Sequence, residues 1–120
     1  MRKWIVAAVA MTAVAMTAAA IAQAAELEIA HCRYPEPPTV PDGATATEAE
    51  MGQSGADVRE YVAGMESSLE CLLAVEESMG EEITEEQQAT LVAVYNNGID
   101  QMNAIVNEYN AQVKVYRDDE

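Results

Sequence analysis

The 120-residue chain sets 21 acidic residues against six basic ones, a formal charge of −15 with one histidine, and it holds two cysteines and no phenylalanine. A chain this acidic lacks the basic patches that nucleic acid or an anionic membrane surface demands, so both are excluded as partners. The length allows one small domain, and a core of that size leans on a covalent staple or on association.

In chain order, Arg2 and Lys3 precede an uncharged apolar run from Trp4 to Ala22, and Ala22-Gln23-Ala24 offers small residues at both positions a signal peptidase reads. Residues 1–24 are expected to be a signal peptide cut before Ala25. The rival is an uncleaved anchor, because the run approaches the ~20 residues of a spanning helix. Cys32 stands well past that run, behind Glu26 and Glu28, which argues against a lipid anchor. The expected location is periplasmic or secreted. Losing Arg2 and Lys3 leaves Arg33, Arg59, Lys114 and Arg117 against all 21 acids, which takes −15 to −17. Two cysteines in an exported chain most simply form one disulfide, Cys32 with Cys71.

Residues 25–46 are expected to form an extended, proline-rich arm. Within YPEPPTVP, Pro35, Pro37, Pro38 and Pro41 fix φ and keep their predecessors out of the helical region, so the segment is polyproline-like. The PxxP spacings would also suit a recognition ligand, but a stiff connecting arm is the plainer reading. Pro41-Asp42-Gly43 predicts a turn.

Residues 47–120 are expected to be a helical hairpin, with helices over about 48–79 and 85–117. Thr47-Glu48-Ala49-Glu50 and Thr84-Glu85-Glu86-Gln87 both have capping-box spacing, and Gly80 is a natural stop. The first helix carries apolar or small residues at Met51, Gly55, Val58, Val62, Met65, Leu69 and Leu72, an a/d seam. The second carries Val92, Tyr95, Ile99, Met102, Val106, Tyr109, Val113 and Tyr116 at heptad spacing. Asn96-Asn97-Gly98 interrupts good helix formers, which predicts a kink or a close approach by another backbone at Gly98. Asn96, Asn103 and Asn110 repeat every seven residues, as a polar ladder beside an interface or as a solvated line.

Cys71 lies off the first seam, on the line Tyr61, Gly64, Ser68, Cys71, Val75. That line is mostly small residues and forms a groove for something narrow. From Cys71 to the cap at Thr47 is ~36 Å of helix at 1.5 Å per residue. The 15 residues from Thr47 back to Cys32 reach ~46 Å at ~3.1 Å each. The arm is therefore long enough to return along the first helix and deliver Cys32 to Cys71. The expected fold is all-α: an antiparallel two-helix hairpin, coiled-coil-like, with an N-terminal proline-rich extended arm folded back on the first helix. An intermolecular disulfide is the rival.

The arm CRYPEPPTVPDGATATEAEM, the middle VREYVAGMESSLECL and the stretch VYNNGIDQMNAIVNEYNAQVKVY together resemble a group of small exported proteobacterial proteins of unknown function. The resemblance spans nearly all of the chain after the leader. It implies an envelope address and transfers no functional residue.

Catalysis is starved of parts. His31 is the only histidine, a cysteine held in a disulfide is no nucleophile, and no phosphate loop, GxSxG or HExxH is present. The chain is read as no enzyme and as needing no cofactor. Glu76, Glu77, Glu81, Glu82, Glu85 and Glu86 cluster at the hairpin tip and would suit a hard cation such as calcium. The last four also suit a helix N-terminus without any ion. Copper held by His31, Cys32 and methionines is a softer variant, although Met51, Met65 and Met102 lie on the seams. Interaction remains: Leu91, Val94, Ile105 and Val115 fall off the second seam and would face a partner. Tyr95, Tyr109 and Tyr116, with Asn96, Asn103 and Asn110, are the candidate interaction residues. The expected function is a non-enzymatic structural or protein-interaction module of the bacterial envelope, self-associating or bound to another envelope protein. The alternative is a cation-binding or metal-handling periplasmic protein.

Overall fold

The computed structural model describes residues 27–118, so the expected signal peptide at 1–24 lies outside the described residues. The described chain is all-helical beyond its N-terminal segment. Helix α1 runs Glu48–Met79, a 3-10 turn covers Gly80–Glu82, and helix α2 runs Glu85–Asp118. The two helices pack antiparallel, with Gly55 beside Tyr109 and Leu69 beside Gly98. No described helix is long and apolar enough to cross a membrane.

Both helices begin where their capping boxes dictate. Thr47 Oγ1 accepts from the Glu50 N–H at 3.1 Å while Glu50 Oε2 accepts from the Thr47 N–H at 3.0 Å. Thr84 and Gln87 repeat the exchange at 3.1 and 3.0 Å. Each cap satisfies amides that a helix start leaves unpaired and contributes about 1 kcal/mol. At the far end of α1, Gly80 takes φ +55° and donates its N–H to the Glu76 carbonyl, a left-handed stop that suits glycine.

The seam of α1 is buried much as its spacing predicts: Met51, Gly55, Val58, Met65, Leu69 and Leu72 are inside, Met65 with no exposed surface at all. The predicted seam of α2 is met in part: Tyr95, Ile99 and Met102 pack against the core cluster and Tyr109 against Gly55, but the most buried positions lie one residue to the side at the tip. Val92 is 49% exposed and its neighbour Leu91 only 2%. The inward line runs through Gln87, Leu91 and Gly98, which are buried, and through half-buried Val94, Met102, Ile105, Tyr109, Gln112 and Tyr116. This line repeats every ~3.6 residues, the period of a straight helix. A strict heptad line drifts ~20° per repeat on such a helix. The two lines share Met102, Tyr109 and Tyr116 and differ by one residue position elsewhere, as at Val92 beside Leu91. Leu91, Val94 and Ile105, expected to face a partner, instead pack in or against the core cluster. Val115 does stay outward, at 36% exposure.

Residues 33–42 have no helix or strand, and their contacts run along the groove between the two helices. Cys32 is bonded to Cys71 across a Cα–Cα distance of 5.5 Å. Ser68 Oγ donates to the Arg33 carbonyl, and Pro35 lies against Gly64. The segment reaches α2 as well, which the sequence reading did not assign. The Tyr34 hydroxyl donates to the Val94 carbonyl, and the Gly43 N–H donates to Gln112 Oε1 at 2.8 Å. The predicted turn follows: Ala46 N–H donates to the Asp42 carbonyl at 2.9 Å and Ala44 N–H to Asp42 Oδ1 at 2.9 Å.

Helix α2 continues unbroken through Asn96-Asn97-Gly98. The close approach at Gly98 is real but comes from side chains rather than backbone. A Cβ there would lie 2.6 Å from the Tyr34 hydroxyl oxygen and 3.0 Å from Leu69 Cδ2. Gly98 costs helix propensity and in return lets an arm tyrosine rest directly against the helix backbone. Gly43 does the same for a backbone, since a Cβ there would run into the Gln112 carbonyl oxygen.

Candidate interaction surface

The hairpin has two long grooves, one on each side of its seam. On the first side, Tyr61, Gly64, Ser68, Cys71 and Val75 line α1, and the N-terminal segment covers them. Tyr61 and Ser68 are buried there, while Cys71 and Val75 are half-buried against the core cluster. Burial pushes the Tyr34 phenol above its ordinary value, against a lowering pull from the Gly98 backbone and with a smaller rise from Tyr95. Burial likewise raises Tyr61, whose hydroxyl has no hydrogen-bond partner among the described residues.

Next to the disulfide, His31 is exposed and lines an open cavity of about 430 Å³ with Leu27, Val75 and Met79. The donor atoms of His31, Cys32 and Cys71 lie within 4.8 Å of one another. The two sulfurs are bonded to each other, so neither is the thiolate a soft cation requires, and only the imidazole has a free donor. The tip glutamates Glu77, Glu81, Glu82, Glu85 and Glu86 point into solvent and Glu76 is half-buried. Among the described residues they form no group of converging metal ligands.

The second side is uncovered. Near the tip, Leu73 is 50% exposed and Val92 49%. With Leu72, Leu91, Tyr95 and Asn96 they surround a shallow cavity of about 190 Å³. Further from the tip, Val58, Val62, Val106, Tyr109 and Asn110 line a second one of about 370 Å³, with Arg59 and Glu66 at its rim. Four of the six expected interaction residues, Tyr95, Asn96, Tyr109 and Asn110, therefore meet on one face. Asn103 is exposed on the same heptad line, and Tyr116 is half-buried beside the Gly43 turn instead. Sequence reasoning passed over Leu73. Its signal was the pair Leu72-Leu73: neighbours on a helix point about 100° apart, so with one inside the other has to lie off the seam.

No protein-family model, no curated protein and no solved structure matches the chain.

Proposed function

We propose that this is a non-enzymatic exported protein whose role is to present a rigid helical face to another protein in the bacterial envelope. The observation that carries the reading is the asymmetry of the two grooves. One holds the chain's own arm, stapled by Cys32–Cys71. The other keeps an apolar lining that includes half-exposed Leu73 and Val92, and single exposed apolar residues become informative when they share one contiguous strip. A disulfide belongs to an oxidising compartment, which supports the periplasmic or secreted address read from residues 1–24. The arm fits as a stiffener: closing a loop of 39 residues contributes about 4 kcal/mol on the chain-entropy model, a large share of the stability of so small a domain.

The test is intact-mass analysis of the protein recovered from the periplasm of an expressing bacterium, with and without reductant. A chain starting near Ala25 and two hydrogens light is the expected result. A cytosolic chain with free thiols would remove the export and staple parts of the reading together.

A further inference from the structure

We propose that His31, Cys32 and Cys71 form a zinc site that exists only while the Cys32–Cys71 bond is open, so that the chain takes up the ion under reducing conditions and gives it up on oxidation; the inference goes beyond the helical-face reading and does not depend on it. Its starting point is convergence. A ring nitrogen of His31 and the two sulfurs lie within 4.8 Å of one another, and no other three histidine, cysteine or acidic donors converge among the described residues. Two elements bring them together. Cys71 is fixed on α1, and a turn closed by the Cys32 N–H on the Ile29 carbonyl at 2.9 Å carries His31 and Cys32. The bonds from Ser68 to the Arg33 carbonyl and from Tyr34 to the Val94 carbonyl hold the arm just beyond Cys32. The placement of the donors therefore does not rest on the disulfide alone.

The donor set selects the ion. Thiolate and imidazole together suit zinc, which takes sulfur at ~2.3 Å and nitrogen at ~2.0 Å in a tetrahedron. Two ligands of one such ion stand roughly 3.5–4 Å apart, a spacing that three donors gathered this closely reach by side-chain rotation. Three protein donors leave the fourth position to water, and the open cavity of about 430 Å³ lined by His31 and Cys71 provides both the water and the way in.

Opening the bond takes a reductant, and a dithiol is one. Its first thiolate attacks the sulfur of Cys71, which lines the cavity, whereas Cys32 is buried. The S–S bond breaks and Cys32 leaves as a thiolate. The second thiolate of the reductant then closes its own disulfide and expels Cys71. Two electrons have passed to the protein, and the two protons of the dithiol go to water once both cysteines bind zinc as thiolates. The ion then joins the arm to α1 in place of the covalent staple. Exchange with an oxidised dithiol reverses the sequence, removes both sulfur ligands and frees the ion.

The experiment reduces the full protein with a phosphine under argon, removes the reductant, and titrates zinc against a chromophoric chelator. One zinc per chain is expected, at least a hundredfold tighter than in the oxidised protein. Circular dichroism melts of the reduced chain are expected to rise with zinc, because an ion that binds the folded state alone stabilises it. Cobalt in place of zinc is expected to give a thiolate charge-transfer band and tetrahedral visible bands, both lost in Cys71→Ser. His31→Ala, at an exposed position, is expected to weaken zinc at least tenfold while the oxidised melt stays where it was. Equal affinity in the oxidised protein overturns the proposal by placing the ion elsewhere. Full affinity in His31→Ala overturns the three-donor site, and a reduced melt indifferent to zinc overturns the bridge from arm to helix.

Discussion

The half of the hairpin near the disulfide and the half near the chain's entry into α1 are built from the same two helices, yet they are not equally closed. Near the disulfide, Cys32, Tyr61, Met65, Leu69, Leu72 and Leu91 form one buried cluster, with Tyr34 seated on Gly98. In the other half α1 still buries Met51, Ser54, Gly55 and Val58, but no residue of α2 beyond Gly98 is fully buried. There the arm meets α2 through the hydrogen bond from Gly43 to Gln112 and through backbone packed on backbone. Covalent closure and a three-sided core coincide at one end, and packing by halves prevails at the other. A short two-helix unit can afford one well-closed end, and regions with fewer buried contacts open first.

The sharpest way to break the comparison is to remove the staple. Cys71→Ser is expected to cost about 4 kcal/mol, which for a domain of this size lowers the melting temperature by roughly 20 °C. Circular dichroism melts with and without reductant would check it. An unchanged melt would mean that the closed half owes nothing to its covalent bond.

Glycines give the next largest effect. Gly98→Ala gains helix propensity but drives a methyl group into Tyr34 and Leu69, for a net loss of about 1–2 kcal/mol. Gly52→Ala, with nothing within 4 Å of the new Cβ, is expected to stabilise by up to about 1 kcal/mol. Urea unfolding of the two variants separates crowding from propensity, and a gain at both positions would show that Tyr34 is not seated as described.

Two tyrosines sharpen the picture at smaller scale. Tyr34→Phe loses a hydrogen bond to the Val94 carbonyl and is expected to cost about 1 kcal/mol. Tyr61→Phe removes a hydroxyl that has no partner among the described residues and is expected to be neutral or slightly stabilising. Both phenols are raised above 10.0 by burial first of all. Below pH ~10 the folded and unfolded states are both protonated and this contribution is complete. Above it the unfolded chain ionises first, and stability falls as pH climbs through the raised folded values. Melting temperature followed from pH 8 to 11 is expected to drop from about pH 10, less steeply in each phenylalanine variant.

How far the sequence was legible differs between the helices for a physical reason. The first helix was readable because its caps and seam obey local rules: Thr47 and Glu50 meet across one turn, and Met51 to Leu72 face one neighbour. The second was readable in part, Tyr95, Ile99, Met102 and Tyr109 facing inward as their spacing predicts, but it has apolar residues on two neighbouring lines, and Val92 rather than Leu91 fits the heptad. Which line faces inward is decided by the groove that α1 and the arm present, and that is not a property of residues 85–118 alone. Gly98 was recognisable as a point of close approach, but its occupant, Tyr34, lies 64 residues away in sequence. Of the residues that line the uncovered face, Tyr95, Asn96, Tyr109 and Asn110 were singled out from the sequence, whereas Leu73 was hidden behind Leu72.

The disulfide also imposes an order in time. Cys71 is made 39 residues after Cys32, a delay of roughly 2–8 s at 5–20 residues per second. Even then the chain is unready, because Gly64, Ser68 and Cys71 form one line only after that stretch has coiled into a helix. In an isolated chain the sulfurs therefore meet in this register once that stretch of α1 has coiled. A bond closed in this register is a record that the arm has met a formed turn of α1, and a cell that inspects thiols can read that much before α2 is complete.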